Sequence, residues 1–258
     1  MLRSLLAISL AVTIAGSARA EDRPPAIDPK AMEIGQASLE FLQAQSSMGF
    51  SWFITYDRIF EGREKITFIR SGSSLIARGS GYRSYAESGN TVREYIYDGK
   101  QLTISAPVQG FYTQTPISGD FDALVETARE QAGLVLPVWQ IMSTKATDFL
   151  SEVEAASYLG TTLVNGREAH HLAFSEYRRD FQVWVSTDPE RPVPLIFVET
   201  DPYTQGWPQY HAFLYDWNLE PEIEANSFIF TPGEGVAKIS FSTLQTDPES
   251  GTLQPTSD

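Results

Sequence analysis

The chain contains no cysteine. That absence removes disulfides, thiolate nucleophiles, cysteine-ligated zinc, iron–sulfur clusters and the acylated N-terminal cysteine of bacterial lipoproteins. Histidine is scarce, with three residues in 258, so any imidazole chemistry must use His170, His171 or His211. Basic residues are outnumbered, 19 Lys and Arg against 33 Asp and Glu, for a net charge of −14. Such a chain repels polyanions and anionic bilayers wherever salt leaves the field unscreened, which argues against nucleic acid as a partner. Hydrophobic residues make up 42% of the sequence, the level of an ordinary globular protein.

The N-terminus reads as an export signal. Arg3 gives it a positive start, Leu5 to Ala15 is apolar apart from Ser9 and Thr13, and Ala18-Arg19-Ala20 places small residues at both peptidase recognition positions. The apolar run is shorter than the roughly 20 residues a spanning helix needs. Cleavage after Ala20 is expected, with release into the periplasm and no stable membrane anchor. Loss of Arg3 and Arg19 would leave 17 basic and 33 acidic residues, a net charge of −16. The expected organisation is a signal peptide over 1–20, a proline-broken linker over 21–29, one domain over 30–246 and an unstructured tail over 247–258, where Pro, Ser, Thr and Asp replace aromatics.

Within the domain the period of the apolar residues changes. Asp28-Pro29 caps a helix whose Met32, Ile34, Leu39, Phe41 and Leu42 are spaced for a buried face. From Phe50 the period becomes two, with Trp52, Ile54, Tyr56 and Phe60 alternating against polar residues. Short strands follow around Ile66, Leu75, Tyr82, Val92 and Ile96. Asp98-Gly99 then reads as a two-residue hairpin turn before Leu102, Ile104 and the Phe111-Tyr112 strand. Residues 118–150 turn helical, with Phe121, Leu124, Val125 and Ala128, then Trp139, Ile141, Met142, Phe149 and Leu150. Strands resume at Leu159, turn at Asn165-Gly166, and continue through Phe174, Phe181–Val185, Leu195–Val198, Tyr210–Trp217 and Phe228–Phe230.

Catalytic signals are weak. His170 and His171 are adjacent in a strand, so their rings leave opposite faces and do not suit one metal ion. The Ser71–Ser74 and Gly79–Gly81 stretches match neither a phosphate loop nor a serine nucleophile turn. No catalytic residue, cofactor or metal ligand is expected. The 31 aromatic residues, 5 Trp, 11 Tyr and 15 Phe, are more prominent, and a curved sheet wrapped around helices can leave an apolar hollow among them.

Several short segments, in this order, resemble a family of predicted periplasmic proteins, the domain of unknown function 2092. They are Ile27-Asp28-Pro29, Tyr97-Asp98-Gly99-Lys100, Phe111-Tyr112, His171-Leu172-Ala173-Phe174, Trp184, Asp216-Trp217-Asn218 and Phe228-Ile229-Phe230-Thr231-Pro232. The resemblance implies an α+β fold similar to the LolA and LolB lipoprotein carriers: a strongly curved antiparallel sheet, an incomplete β-barrel, with helices packed over its concave face. It carries over no catalytic set. The expected function is non-catalytic binding of a lipid or lipoprotein acyl chain in the half-barrel, with Trp52, Ile54, Tyr95, Trp139, Met142 and Trp184 as its lining. The alternative is a protein-interaction or envelope-sensing module with a packed interior and a partner not identified by sequence. A hydrolase centred on His171 or His211 stands third.

Overall fold

The computed structural model describes residues 26–61, 63–117, 119–132, 143, 146–240, 244–246 and 253–255. The signal segment, its cleavage position, Trp139 and Met142 lie outside them.

Helix α1 (Pro29–Ala44) begins as its sequence dictates. Asp28 is the N-cap and accepts a hydrogen bond from the Lys30 N–H at 2.9 Å, with Pro29 in the first turn. At the other end, Arg78 donates to the carbonyls of Gln45 (3.0 Å) and Leu42 (3.1 Å), the latter also accepting the Gln45 N–H at 3.3 Å. The buried side differs from the apolar spacing: Ala31, Gly35, Ser38 and Leu42 are buried, while Met32, Ile34, Leu39 and Phe41 are partly covered. Small residues face the sheet because they let the helix axis come close to it.

Six strands then form a meander: β1 (Ser47–Phe60), β2 (Glu64–Ala77), β3 (Gly81–Ser88), β4 (Thr91–Tyr97), β5 (Gln101–Ala106) and β6 (Phe111–Pro116). After α2 (Phe121–Ala132) and a 3₁₀ turn (Ala146–Leu150), a second meander runs through β7 (Ala155–Val164), β8 (Arg167–Ser175), β9 (Asp180–Ser186), β10 (Pro194–Thr200) and β11 (Gln209–Asn218). β11 pairs antiparallel with β1, and β12 (Ala237–Lys238) adds in parallel to β6. The outcome is a 12-stranded sheet with β7 at one edge and β12 beside β6 at the other. The edges do not pair, so the curved sheet stays an open half-barrel. Register shifts in β11, β7 and β10, where an extra residue bends the strand, contribute to the curvature.

Three local expectations change. Asn165 (φ 48°) and Gly166 (φ 78°) form the expected two-residue turn. The other hairpin is displaced by one residue: Asp98 and Gln101 face each other, Gly99 (φ 87°) supplies the positive φ, and the Asp98 carboxylate accepts from the Lys100 and Gln101 N–H groups. Phe228–Phe230 is not a strand. Phe228 instead covers Gly81, where an added Cβ would lie 2.4 Å from its ring, and Phe230 packs on Tyr112 at 4.9 Å between centroids. Leu244–Thr246 and Leu253–Pro255 pair as a separate ribbon, β13 and β14, which places a short strand within the segment where composition predicts an unstructured tail.

Candidate functional site

Strand parity decides which side chains reach the concave face. In β1, Met48, Phe50, Trp52 and Ile54 are buried and alternate with partly exposed neighbours. The register carries this face across the sheet, Ile54 opposite Ala212, Phe197 opposite Ala212 and Val183, and Leu172 opposite Val183. Beneath α1 this row does not close completely. An apolar slot of about 40 Å³ remains. Gly35, Ser38 and Leu39 of α1 form its roof, Phe149 and Leu150 of the 3₁₀ turn one wall, and Leu172, Phe174, Phe181, Val183, Val185, Pro194 and Phe197 its floor. The one polar side chain in this lining, Ser38, already donates to the Pro192 carbonyl at 2.6 Å. Such a wall offers dispersion and dehydration but no group for bond-making chemistry.

Aromatic rings continue from the slot across the concave face. Phe174 stacks on Phe181 at 5.0 Å, Phe181 reaches Phe197 at 6.2 Å, and Phe197 meets Tyr210 edge-on at 6.4 Å. Beyond Tyr210, its strand neighbour Tyr56 stacks on Phe68 at 5.6 Å. Charges appear at this end. Arg179 lies 4.4 Å from the Phe149 ring and ion-pairs with Glu176 (3.0 Å) and Glu199 (3.4 Å). Burial pushes the Glu199 carboxyl above the usual range, an effect that Arg179 opposes.

The sequence-predicted lining residues do not meet at this slot. Trp52, Ile54 and Tyr95 are buried on the concave face, but within the first meander. There the Trp52 indole donates to Ser74 Oγ at 3.1 Å, and Ser74 and Ser84 hydroxyls meet at 3.1 Å. Trp184 is on the convex face, because Phe181, Val183 and Val185 point inward and the residue between them must point out. Its ring stacks on His171 at 4.0 Å. The sequence reading missed Gly35, Phe174, Phe181 and Phe197. A repeated Phe near the end of successive strands was the available signal, and only the cross-strand register gives it meaning.

The histidines are held separately. His170 Nδ1 meets the Tyr158 hydroxyl at 3.2 Å, His171 Nε2 the Gln182 amide at 2.9 Å, and His211 Nε2 the Gln209 amide at 3.1 Å. Burial and the nearby Lys30 keep the His170 ring below its ordinary pKa. Among the described residues no three metal-ligating side chains cluster, and no helix is long and apolar enough to cross a membrane.

The family model for domain of unknown function 2092, predicted periplasmic proteins, matches residues 31–242. The chain belongs to this family. No curated protein matches it. Among solved structures it is similar to the lipoprotein LppX from Mycobacterium tuberculosis, at 14% identity over 76% of this chain and 98% of that one, with a TM-score of 0.40. A LolA superfamily protein from Nitrosomonas europaea is similar at 11% identity, covering 78% and 97%, with a TM-score of 0.39. The complex of MucA and MucB from Pseudomonas aeruginosa is similar at 15%, covering 84% and 66%, with a TM-score of 0.42. The family description and the expected export signal agree on a periplasmic protein.

Proposed function

We propose that this periplasmic protein binds an apolar or amphipathic ligand, a lipid or lipoprotein acyl chain, on the concave face of the second meander without catalysing a reaction on it. The observation that carries the reading is the almost wholly apolar slot between α1 and the Phe-rich floor. At about 40 Å³ it is well below the ~300 Å³ at which ligand pockets begin. The slot is therefore the closed form, and a chain enters by displacing the Phe149–Leu150 turn and separating α1 from the floor. Each methylene transferred from water contributes about 0.8 kcal/mol, so several are needed to offset that separation.

Native mass spectrometry and titration with a fluorescent fatty acid test this reading. Binding is expected for the wild type and a clear loss for Gly35→Leu, which extends a side chain from the roof into the slot. A clean apo mass with no uptake, or unchanged uptake by a folded Gly35→Leu variant, rejects it. A specific observation favours a second reading, a protein-interaction or envelope-sensing module. Phe53, Phe213, Ile196 and Trp184 form a cross-strand row on the convex face, and Phe213 is 37% exposed. Crosslinking in cells that recovers one stoichiometric partner through this row would select that reading.

A further inference from the structure

One rim of the sheet differs chemically from the rest of the molecule. Gln209, Thr200, Asp180 and Ser175 are successive partners across β11, β10, β9 and β8, so the turns beyond them project from the same end. The β1–β2 hairpin joins them there: Tyr56 pairs with Tyr210, and Asp57 accepts from the Gln209 N–H at 3.1 Å. β1 and β2 continue together past these partners to Phe60 and Glu64.

The three most exposed aromatic side chains among the described residues all stand on this rim: Tyr177 at 73%, Tyr203 at 70% and Trp207 at 67%. Ile66 and Ile69 on the projecting hairpin are exposed as well. Tyr177 and Tyr203 approach each other, at 6.0 Å between centroids, although they belong to different loops. The charge changes too. Segments 57–61, 63–70, 176–180 and 199–208 hold six basic and seven acidic residues, a net charge of −1, which leaves −13 of the total −14 elsewhere.

We infer that this rim docks the protein on the interface of a zwitterionic lipid bilayer. Tyr and Trp have an apolar body and a polar edge, the combination that settles at the boundary between headgroups and acyl chains. The rings stand on separate loops, an arrangement that suits a deformable medium more than a rigid partner surface. The near-neutral rim can approach neutral headgroups closely, while the acidic remainder disfavours an anionic bilayer. Phe181, which follows Asp180 in the rim row, places one end of the slot next to the docked side. The inference goes beyond the ligand reading and does not require it, because vesicle binding by the empty protein reports on the rim alone.

The test is cosedimentation of the purified chain with sucrose-loaded phosphatidylcholine vesicles at low salt. The wild type is expected to pellet with the vesicles, and Trp207→Ser combined with Tyr203→Ser to reduce the partition coefficient about tenfold. Leu163→Ser removes an equally exposed side chain, 71%, beside the Asn165-Gly166 turn at the opposite end of β8, and is expected to leave binding unchanged. Replacing part of the lipid with phosphatidylglycerol is expected to weaken binding at low salt, less so as salt is added. Should the double variant lose its native near-ultraviolet circular dichroism, quenching by lipids with brominated acyl chains replaces it: the quenched tryptophan emission should disappear in Trp207→Phe. A wild type that stays in the supernatant, a folded double variant that pellets equally, a Leu163→Ser variant that loses as much, or a quenched component that survives Trp207→Phe each overturn the inference. Crosslinking through Trp207 to a protein, with no vesicle binding, overturns it in favour of a protein partner.

Discussion

The two meanders have the same up-and-down topology, yet the side chains described on their concave faces differ in kind. On the concave face of β1–β6, large rings are fixed by polar groups: Trp52 on Ser74, and Tyr97 with its hydroxyl donating to the Gly119 carbonyl at 2.8 Å. Tyr82 closes against Phe121 of α2, edge-on at 5.4 Å. Facing α1, the floor of β8–β10 is built of Phe, Val and Leu without hydrogen-bonding side chains, and a gap remains. Directional bonds hold the first region in one arrangement, whereas an aliphatic and Phe contact can rearrange with little polar cost. The first region is the frame, and the proposed ligand reading rests on the second.

Matched glycine substitutions put the largest strain on that comparison. At Gly72 an added Cβ would lie 1.9 Å from the Tyr85 carbonyl oxygen and 2.6 Å from the Trp52 ring, one of them backbone that cannot yield. Gly72→Ala is expected to lower unfolding free energy by about 3 kcal/mol, measured by urea denaturation. Next in size is Arg78→Met, which leaves the Leu42 and Gln45 carbonyls without their side-chain donor and should cost about 2 kcal/mol. At Gly35 the nearest atoms are side-chain ends, Phe174 Cζ at 3.2 Å and Leu150 Cδ1 at 3.3 Å. These can give, and alanine adds about 1 kcal/mol of helix propensity. Gly35→Ala should therefore remain within about 1 kcal/mol of the wild type. If it loses as much as Gly72→Ala, the second meander is as rigid as the first and the distinction is lost.

Much of the frame was legible in the sequence because local chemistry sets it. Asp28-Pro29 caps as read, β1 alternates as read, and Asn165-Gly166 turns as read. The expected α+β half-barrel is the observed fold. The site was legible only in part. Parity shows that Trp184 and Val183 take opposite faces, but choosing between them needs the partners: alternation alone admits Trp184, and the register turns its ring to the convex face. The slot depends on Phe174, Phe181 and Phe197 coming level through the register of three strands, which no single strand encodes. Its roof was hidden for another reason: α1 approaches through Ala31, Gly35 and Ser38, while an apolar-face reading points to Met32, Ile34 and Phe41.

The smallest expected effect separates two carboxylates near the same rim by the sign of their pH dependence. Burial raises the Glu199 pKa despite Arg179, so the folded state holds this proton more tightly than the unfolded chain does. Its contribution is fully present below the unfolded carboxyl pKa and is lost as pH rises through the folded value. Asp57 is also pushed up by burial, but the Thr67 hydroxyl, the Gln209 N–H and Lys65 outweigh that effect and lower its pKa. Its contribution is present above the unfolded value and disappears as pH falls through the folded one. Glu199→Gln should therefore gain stability relative to the wild type as pH rises from the carboxylate range toward neutrality. Asp57→Asn should be less stable than the wild type at neutral pH and converge with it in acid. Urea unfolding of both variants across this range checks the signs. Parallel curves for the two variants would mean that neither neighbourhood distinguishes its carboxylate. Opposed slopes would place a proton-favouring group opposite Phe181, at the end of the slot that the proposed binding would open.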